Sequence, residues 1–155
     1  MLTRRFALLY GVAFTLVAVL GFVPGINQMH EGTHSDLSVG GPGHGLLLGL
    51  FHVNVLHNLV HLLFGLMGLA CSRSYGAARG YARFVAVAYA LLAVLGLIPF
   101  MNIWNTFGLI PINGHDVWLH AVLAAVAAYF GFIRPADRTD GGFPVTTTGT
   151  TPPAV

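Results

Sequence analysis

FHVNVLHNLVHLLFG, Phe51–Gly65, is the stretch on which the reading of this chain turns. It is apolar enough to lie in a membrane, yet it holds three histidines and two asparagines. Helical geometry sorts them. At about 100° per residue, Asn54, His57, Asn58 and His61 fall within about 100° of arc, while Leu56, Leu59, Val60 and Leu63 take the opposite side. His52 falls outside the stripe, at the outer interface. Further along, Gly65, Gly68 and Ser72 continue the polar stripe as a stripe of small residues. Small residues at this spacing let helices approach closely in lipid, so the stripe is expected to face a bundle interior.

The rest of the chain agrees with a membrane setting. Of its 155 residues, 55% are hydrophobic and 8% charged, with a mean hydropathy of +0.75. Soluble domains carry roughly 25% charged residues, so this chain has too little polar surface to cover itself in water. Four apolar stretches are long enough to cross a bilayer, which takes about 17–25 helical residues. Backbone groups in lipid must pair within their own segment, so helices are predicted over about 6–23, 46–71, 84–100 and 117–133. The expected fold is all-α: a four-transmembrane-helix bundle over residues 1–135. A polar, Thr/Pro/Gly-rich tail, 136–155, is expected to be disordered. The single Cys71 excludes an internal disulfide.

Charge sets the orientation. The chain has seven arginines and no lysine. Arg4 and Arg5 precede the first span, Arg73, Arg79 and Arg83 lie between the second and third, and Arg134 and Arg138 follow the fourth. With four crossings all seven fall on one side, which the positive-inside rule makes cytoplasmic. Both termini are therefore expected in the cytoplasm. The arginines do not cluster on one element, so the basic pI of about 9.0 does not indicate nucleic acid. Arg4-Arg5 before an apolar run also fits a signal peptide, but no small-residue cleavage site follows.

An internal repeat is visible. AVLGFVPGIN (Ala18–Asn27) and AVLGLIPFMN (Ala93–Asn102) share six of ten positions, and His61 aligns with His120 when the second span is laid on the fourth. A tandem two-plus-two repeat follows, its units parallel and related by an axis along the membrane normal. Pro24 and Pro99 are expected to stop their helices at the outer interface.

Depth along the spans brings the polar residues together. His57 and His61 precede Arg73 by 16 and 12 residues, and His120 precedes Arg134 by 14. At about 1.5 Å per residue, His120 lies between His57 and His61 in height. Asp116 and His120 share a face. Three readings follow. In the first, Asn54, His57, Asn58, His61, Asp116 and His120 form a structural polar seam of interhelical hydrogen bonds, with no cofactor. In the second, His57, His61 and His120, with Asp116, hold a transition metal, or a histidine ligates haem or a chlorin axially. In the third, the histidines pass protons or a small solute. The first is the one favoured from sequence.

HEGTH, His30–His34, matches H-E-x-x-H, but Gly32 inside it and GGPGHG after it argue against the helix that a zinc protease needs. A weak surface metal site at His30, His34 and His44 is the more modest alternative. Trp104 and Trp118 fit an interfacial aromatic belt.

The combination of GFVPG (Gly21–Gly25), LGLFHVNVLHNLVHLLFGLMGLA (Leu48–Ala70) and DVWLHAVLA (Asp116–Ala124) resembles the domain-of-unknown-function 4383 family of small bacterial four-helix membrane proteins. The resemblance covers Phe6 to about Arg134 and implies four transmembrane helices in a bacterial inner membrane. It implies no activity. Its motif positions correspond to Asn54, His57, Asn58, His61, Asp116, Trp118 and His120. The expectation is a non-enzymatic structural or accessory subunit of a larger membrane complex. Its partners are expected to be the lipid bilayer and other membrane subunits or copies of itself. The alternatives are a His-based metal, haem or chlorophyll-type cofactor protein in electron transfer or pigment binding, and a small transporter or proton-conducting element.

Overall fold

The computed structural model describes residues 1–28, 44–97, 109–112 and 114–135. Among these, α1 (Leu2–Leu20) leads into a three-stranded antiparallel sheet of β1 (Asn27–Gln28), β2 (Gly45–Leu47) and β3 (Phe51–Val53). Then come α2 (Val55–Cys71), α3 (Tyr75–Leu97) and α4 (His115–Ala128). A π-helical turn, Tyr129–Ile133, continues α4. α1, α3 and α4 with its π turn are long and apolar enough to cross a membrane, while α2 is shorter at 17 residues.

The helices run up and down. Arg4 Nε, near the start of α1, donates to the Ser72 carbonyl just past α2 at 2.9 Å. Arg79 Nε and Arg83 Nε, in the first turns of α3, both donate to the Gly131 carbonyl at 3.0 Å. The last carbonyls of a helix have no partner within it, and a cationic donor satisfies them. Phe6 stacks on Phe130 at 4.7 Å. The starts of α1 and α3 and the ends of α2 and α4 therefore share one end of the bundle, and these arginines gather there. The sheet lies at the opposite end.

Within the bundle α1 packs most extensively on α2, and α3 on α4. Glycine makes this possible. A Cβ at Gly68 would stand 2.8 Å from Gly11 Cα, and one at Gly131 would stand 2.9 Å from the Arg83 backbone nitrogen. The small-residue faces expected on the second and fourth spans are thus filled by α1 and α3 of the same chain. Phe6, Phe14, Phe64, Tyr81 and Tyr89 form the core with buried alanines. Outward, Leu9, Leu63, Val87 and Val122 are each more than half exposed. A soluble monomer rarely shows such continuous apolar surface, and the surface is of the kind that suits a bilayer.

The element bounds correct the sequence reading. The second helix does not begin at residue 46. Gly45–Leu47 pairs with Phe51–Val53 as a hairpin, with Leu47 opposite Phe51. Leu48 and Gly49 in its turn both have left-handed backbone, φ 55° and 71°, which glycine adopts freely and leucine does not. Asn54 then caps α2, its Oδ1 accepting from the His57 backbone N–H at 2.8 Å. An N-cap has extended backbone, so the helix cannot continue upstream through it. The sheet pairs its own backbone groups, which lets it lie against the bundle without a helix.

The third helix starts at Tyr75 rather than 84. Ser74 Oγ accepts from Ala77 N–H at 3.3 Å as its cap, and the long stems of Arg79 and Arg83 carry their charges to the bundle end from inside the helix. The first helix spans Leu2–Leu20 rather than 6–23. It stops four residues before Pro24, and Asn27 Nδ2 donates to the buried Gly21 carbonyl at 3.0 Å. The fourth begins two residues early, at His115. His30, His34, Pro99, Trp104 and the tail 136–155 lie outside the described residues.

Candidate functional site

α2 carries His57 and His61 one turn apart on a single face, and α4 carries His120 opposite them. Each offers one ring nitrogen, and the three nitrogens lie within 4.8 Å of one another. His57 and His120 are buried, and His61 is partly buried. The His57 and His61 rings are 4.5 Å apart between centroids.

Neighbouring helices hold the three rings. Phe14 of α1 stacks on His61 at 5.7 Å, and Tyr89 of α3 meets His120 edge-on at 4.9 Å. Phe14 and Tyr89 stack on each other at 5.3 Å. His57 Nδ1 donates to the His52 carbonyl of β3 at 3.1 Å. A carbonyl can only accept, so this bond puts the proton on Nδ1 and leaves Nε2 with its lone pair for a ligand. By contrast Nδ1 of His61 and Nδ1 of His120 are buried and have no hydrogen-bond partner among the described residues. Buried polar atoms are nearly always partnered, so two orphan ring nitrogens within one histidine cluster demand an explanation.

The other seam residues separate by role. Asn54 is buried and ties two segments, capping α2 while its Nδ2 donates to the Leu109 carbonyl at 2.9 Å. Asn58 is fully buried, but its amide packs against Gly21 at the end of α1 rather than joining the histidines. Asp116 is buried and lines the same cavity as the triad, although its carboxylate lies outside the three-nitrogen set. His44 stacks on His52 at 6.0 Å, away from the triad. His115 and Trp118 are exposed.

Two cavities flank the triad. One, of about 230 Å³, lies between α1 and α4 beneath the hairpin; the other, of about 250 Å³, lies between α2 and α3. His57, His61 and His120 belong to the walls of both. On the side away from the hairpin each seam is closed by a tyrosine. Tyr10 Oη donates to the Leu123 carbonyl at 3.2 Å, and Tyr81 Oη donates to the Phe64 carbonyl at 3.1 Å. Each of those carbonyls lies three residues past a triad histidine, His120 and His61 respectively.

The aromatic residues around the triad were not singled out from the sequence. A signal was available: Phe6, Tyr10 and Phe14 recur every four residues along one face of α1, a spacing that builds an aromatic ladder.

The fold and site define a class: a membrane-type four-helix protein with three imidazoles converging between two cavities. The chain belongs to the family described as Domain of unknown function (DUF4383), whose model matches residues 4–133. No curated protein and no solved structure is significantly similar to it.

Proposed function

We propose that this chain is an integral membrane metal-binding protein in which His57, His61 and His120 hold one first-row transition-metal ion. The observation that carries this reading is the meeting of three ring nitrogens from two helices within 4.8 Å, with Nδ1 of two of those rings buried and unpartnered among the described residues. A metal bound to imidazole at about 2.1 Å in tetrahedral geometry separates its ligand atoms by roughly 3.4 Å. Closing the difference takes side-chain rotation on the order of 1 Å, not helix movement. Imidazole donors suit Zn, Cu, Fe and Ni. The bond from His57 Nδ1 to the His52 carbonyl is the outer-shell contact that orients a metal-bound histidine. Because the triad divides the space into two cavities, an ion fits where the single flat slot of a haem or chlorin is not offered.

In the same reading the arginine-rich end faces the cytoplasm of a bacterial cell, both termini are cytoplasmic, and α1–α2 and α3–α4 are tandem repeat units. The arginine distribution and the matched tyrosine–carbonyl bonds support these assignments. Docking on a larger membrane complex would use the lipid-facing surface, since the small-residue faces are filled within the chain.

The test is equilibrium dialysis of the protein in lipid nanodiscs against Zn(II), Co(II) and Cu ions. One ion per chain is expected for the native sequence. His57→Ala, His61→Ala and His120→Ala should each lose it while retaining their helical circular dichroism. Uptake no greater than that of empty discs overturns the proposal.

A further inference from the structure

We propose that the cleft between the start of α1 and the turn after α2 binds the phosphate headgroup of an anionic phospholipid. The cleft lies at the arginine end of the bundle, far from the triad, so the proposal is independent of the metal reading. It has a volume of about 340 Å³ and is lined by Met1, Arg4, Arg5, Leu8, Ser72 and Arg73.

A contrast between two sets of three arginines singles it out. On the α3–α4 side, Arg79, Arg83 and Arg134 are committed to the protein. Arg79 and Arg83 share the Gly131 carbonyl, and Arg79 Nη1 also donates to the Tyr75 hydroxyl at 2.9 Å. The guanidinium groups of Arg79, Arg83 and Arg134 lie over the rings of Tyr75, Phe132 and Phe130 at 5.9, 5.6 and 6.0 Å. On the α1–α2 side only Arg4 is tied, through Nε to the Ser72 carbonyl. The Nη groups of Arg4 and the whole guanidinium groups of Arg5 and Arg73 have no protein partner among the described residues.

No carboxylate answers them. Among the described residues Asp116 is the single acidic side chain, and it lies with the triad at the sheet end. α1 also begins at the cleft with no side-chain cap and no acidic residue in its first turn, so its N-terminal N–H groups add to the same positive field. Guanidinium groups bind phosphate oxygens through paired N–H donors, and a basic pocket between membrane helices is the setting in which lipid headgroups are held.

The neighbouring surface favours a lipid over a free phosphate. Leu8 lines the cleft, and Val12 and Leu16 follow it at four-residue spacing; all three are exposed. They form one apolar track about 12 Å long on α1, along which an acyl chain lies while its phosphate stays among the arginines.

The test is native mass spectrometry of the full chain in detergent, titrated with phosphatidylglycerol or phosphatidylcholine. One phosphatidylglycerol per chain is expected at concentrations that give no phosphatidylcholine adduct. Arg5→Gln and Arg73→Gln should each weaken it about fivefold while keeping their helical circular dichroism. Arg83→Gln and Arg134→Gln remove the same charge from the committed set and should leave it unchanged. Equal binding of the two lipids overturns the proposal, as does equal weakening by all four variants, which would make the attraction one of general charge. Displacement of the lipid by inorganic phosphate at equal concentration makes the site one for free phosphate and overturns the lipid. Binding that emerges only in Asp137→Asn/Asp140→Asn makes the tail carboxylates the native occupant and overturns it too.

Discussion

The two ends of this bundle are built by opposite means from the same helices. At the arginine end, backbone meets backbone: Gly68 against Gly11, and Gly131 against Arg83. Helix-end carbonyls there are covered by guanidinium groups. At the sheet end the helices are held apart by rings, with Phe14, Tyr89 and three imidazoles as spacers, and space remains on both sides. Close packing at one end fixes the geometry that keeps the other end open. The difference teaches where the space comes from: the chain closes a seam where its residues are small and leaves one where they are large.

Four substitutions, at three places, sharpen that contrast. The largest effect belongs to the closed end. Gly68→Leu forces a side chain into the Gly11 backbone and should cost about 3 kcal/mol, the upper range for overpacking. Detergent-titrated unfolding in mixed micelles measures it, and a midpoint equal to that of the native sequence would contradict the close approach.

Next is the junction between the ends. Asn54→Ala removes both the cap on α2 and the bond to Leu109, for a loss of about 1–2 kcal/mol. It also loosens the turn that presents His57, so metal affinity should fall about tenfold, as for other outer-shell contacts. A stability loss with unchanged affinity would separate the cap from the triad. The smallest effect is at the seams. Tyr10→Phe and Tyr81→Phe each delete one interhelical hydrogen bond, worth about 0.6 kcal/mol in lipid. The two losses should be equal, and additive in the double variant. Unequal losses would show that the seams are not equivalent.

Much of this was legible beforehand, for physical reasons that can be named. Arg73 and Arg134 follow the second and fourth spans, so counting back from them puts His120 between His57 and His61 in height. Periodicity put Gly65 and Gly68 on an interior face. What it could not see was the hairpin. LLLGLFHV (Leu46–Val53) is as apolar as a helix, and short apolar runs do not reveal their period. The signals for it are Gly49 and Asn54: one supplies the turn, and the other is a cap residue inside the expected helix. Asn58 shares the arc of the histidines, yet it meets Gly21, because contact depends on which neighbour stands at each height as well as on angle. The far end of the third span, 98–100, and the HEGTH loop lie outside the described residues.

The shortness of α2 has a consequence for the lipid. Its 17 residues rise about 26 Å, whereas the 23 residues of α3 rise about 35 Å. A hydrocarbon core of about 30 Å therefore matches neither helix. The hairpin makes up the missing height beside α2 with paired strands instead of a helix. Around its perimeter the protein thus meets a bilayer with helices on most sides and with paired strands above the short α2, and lipids beside α2 should tilt toward the hairpin to meet it.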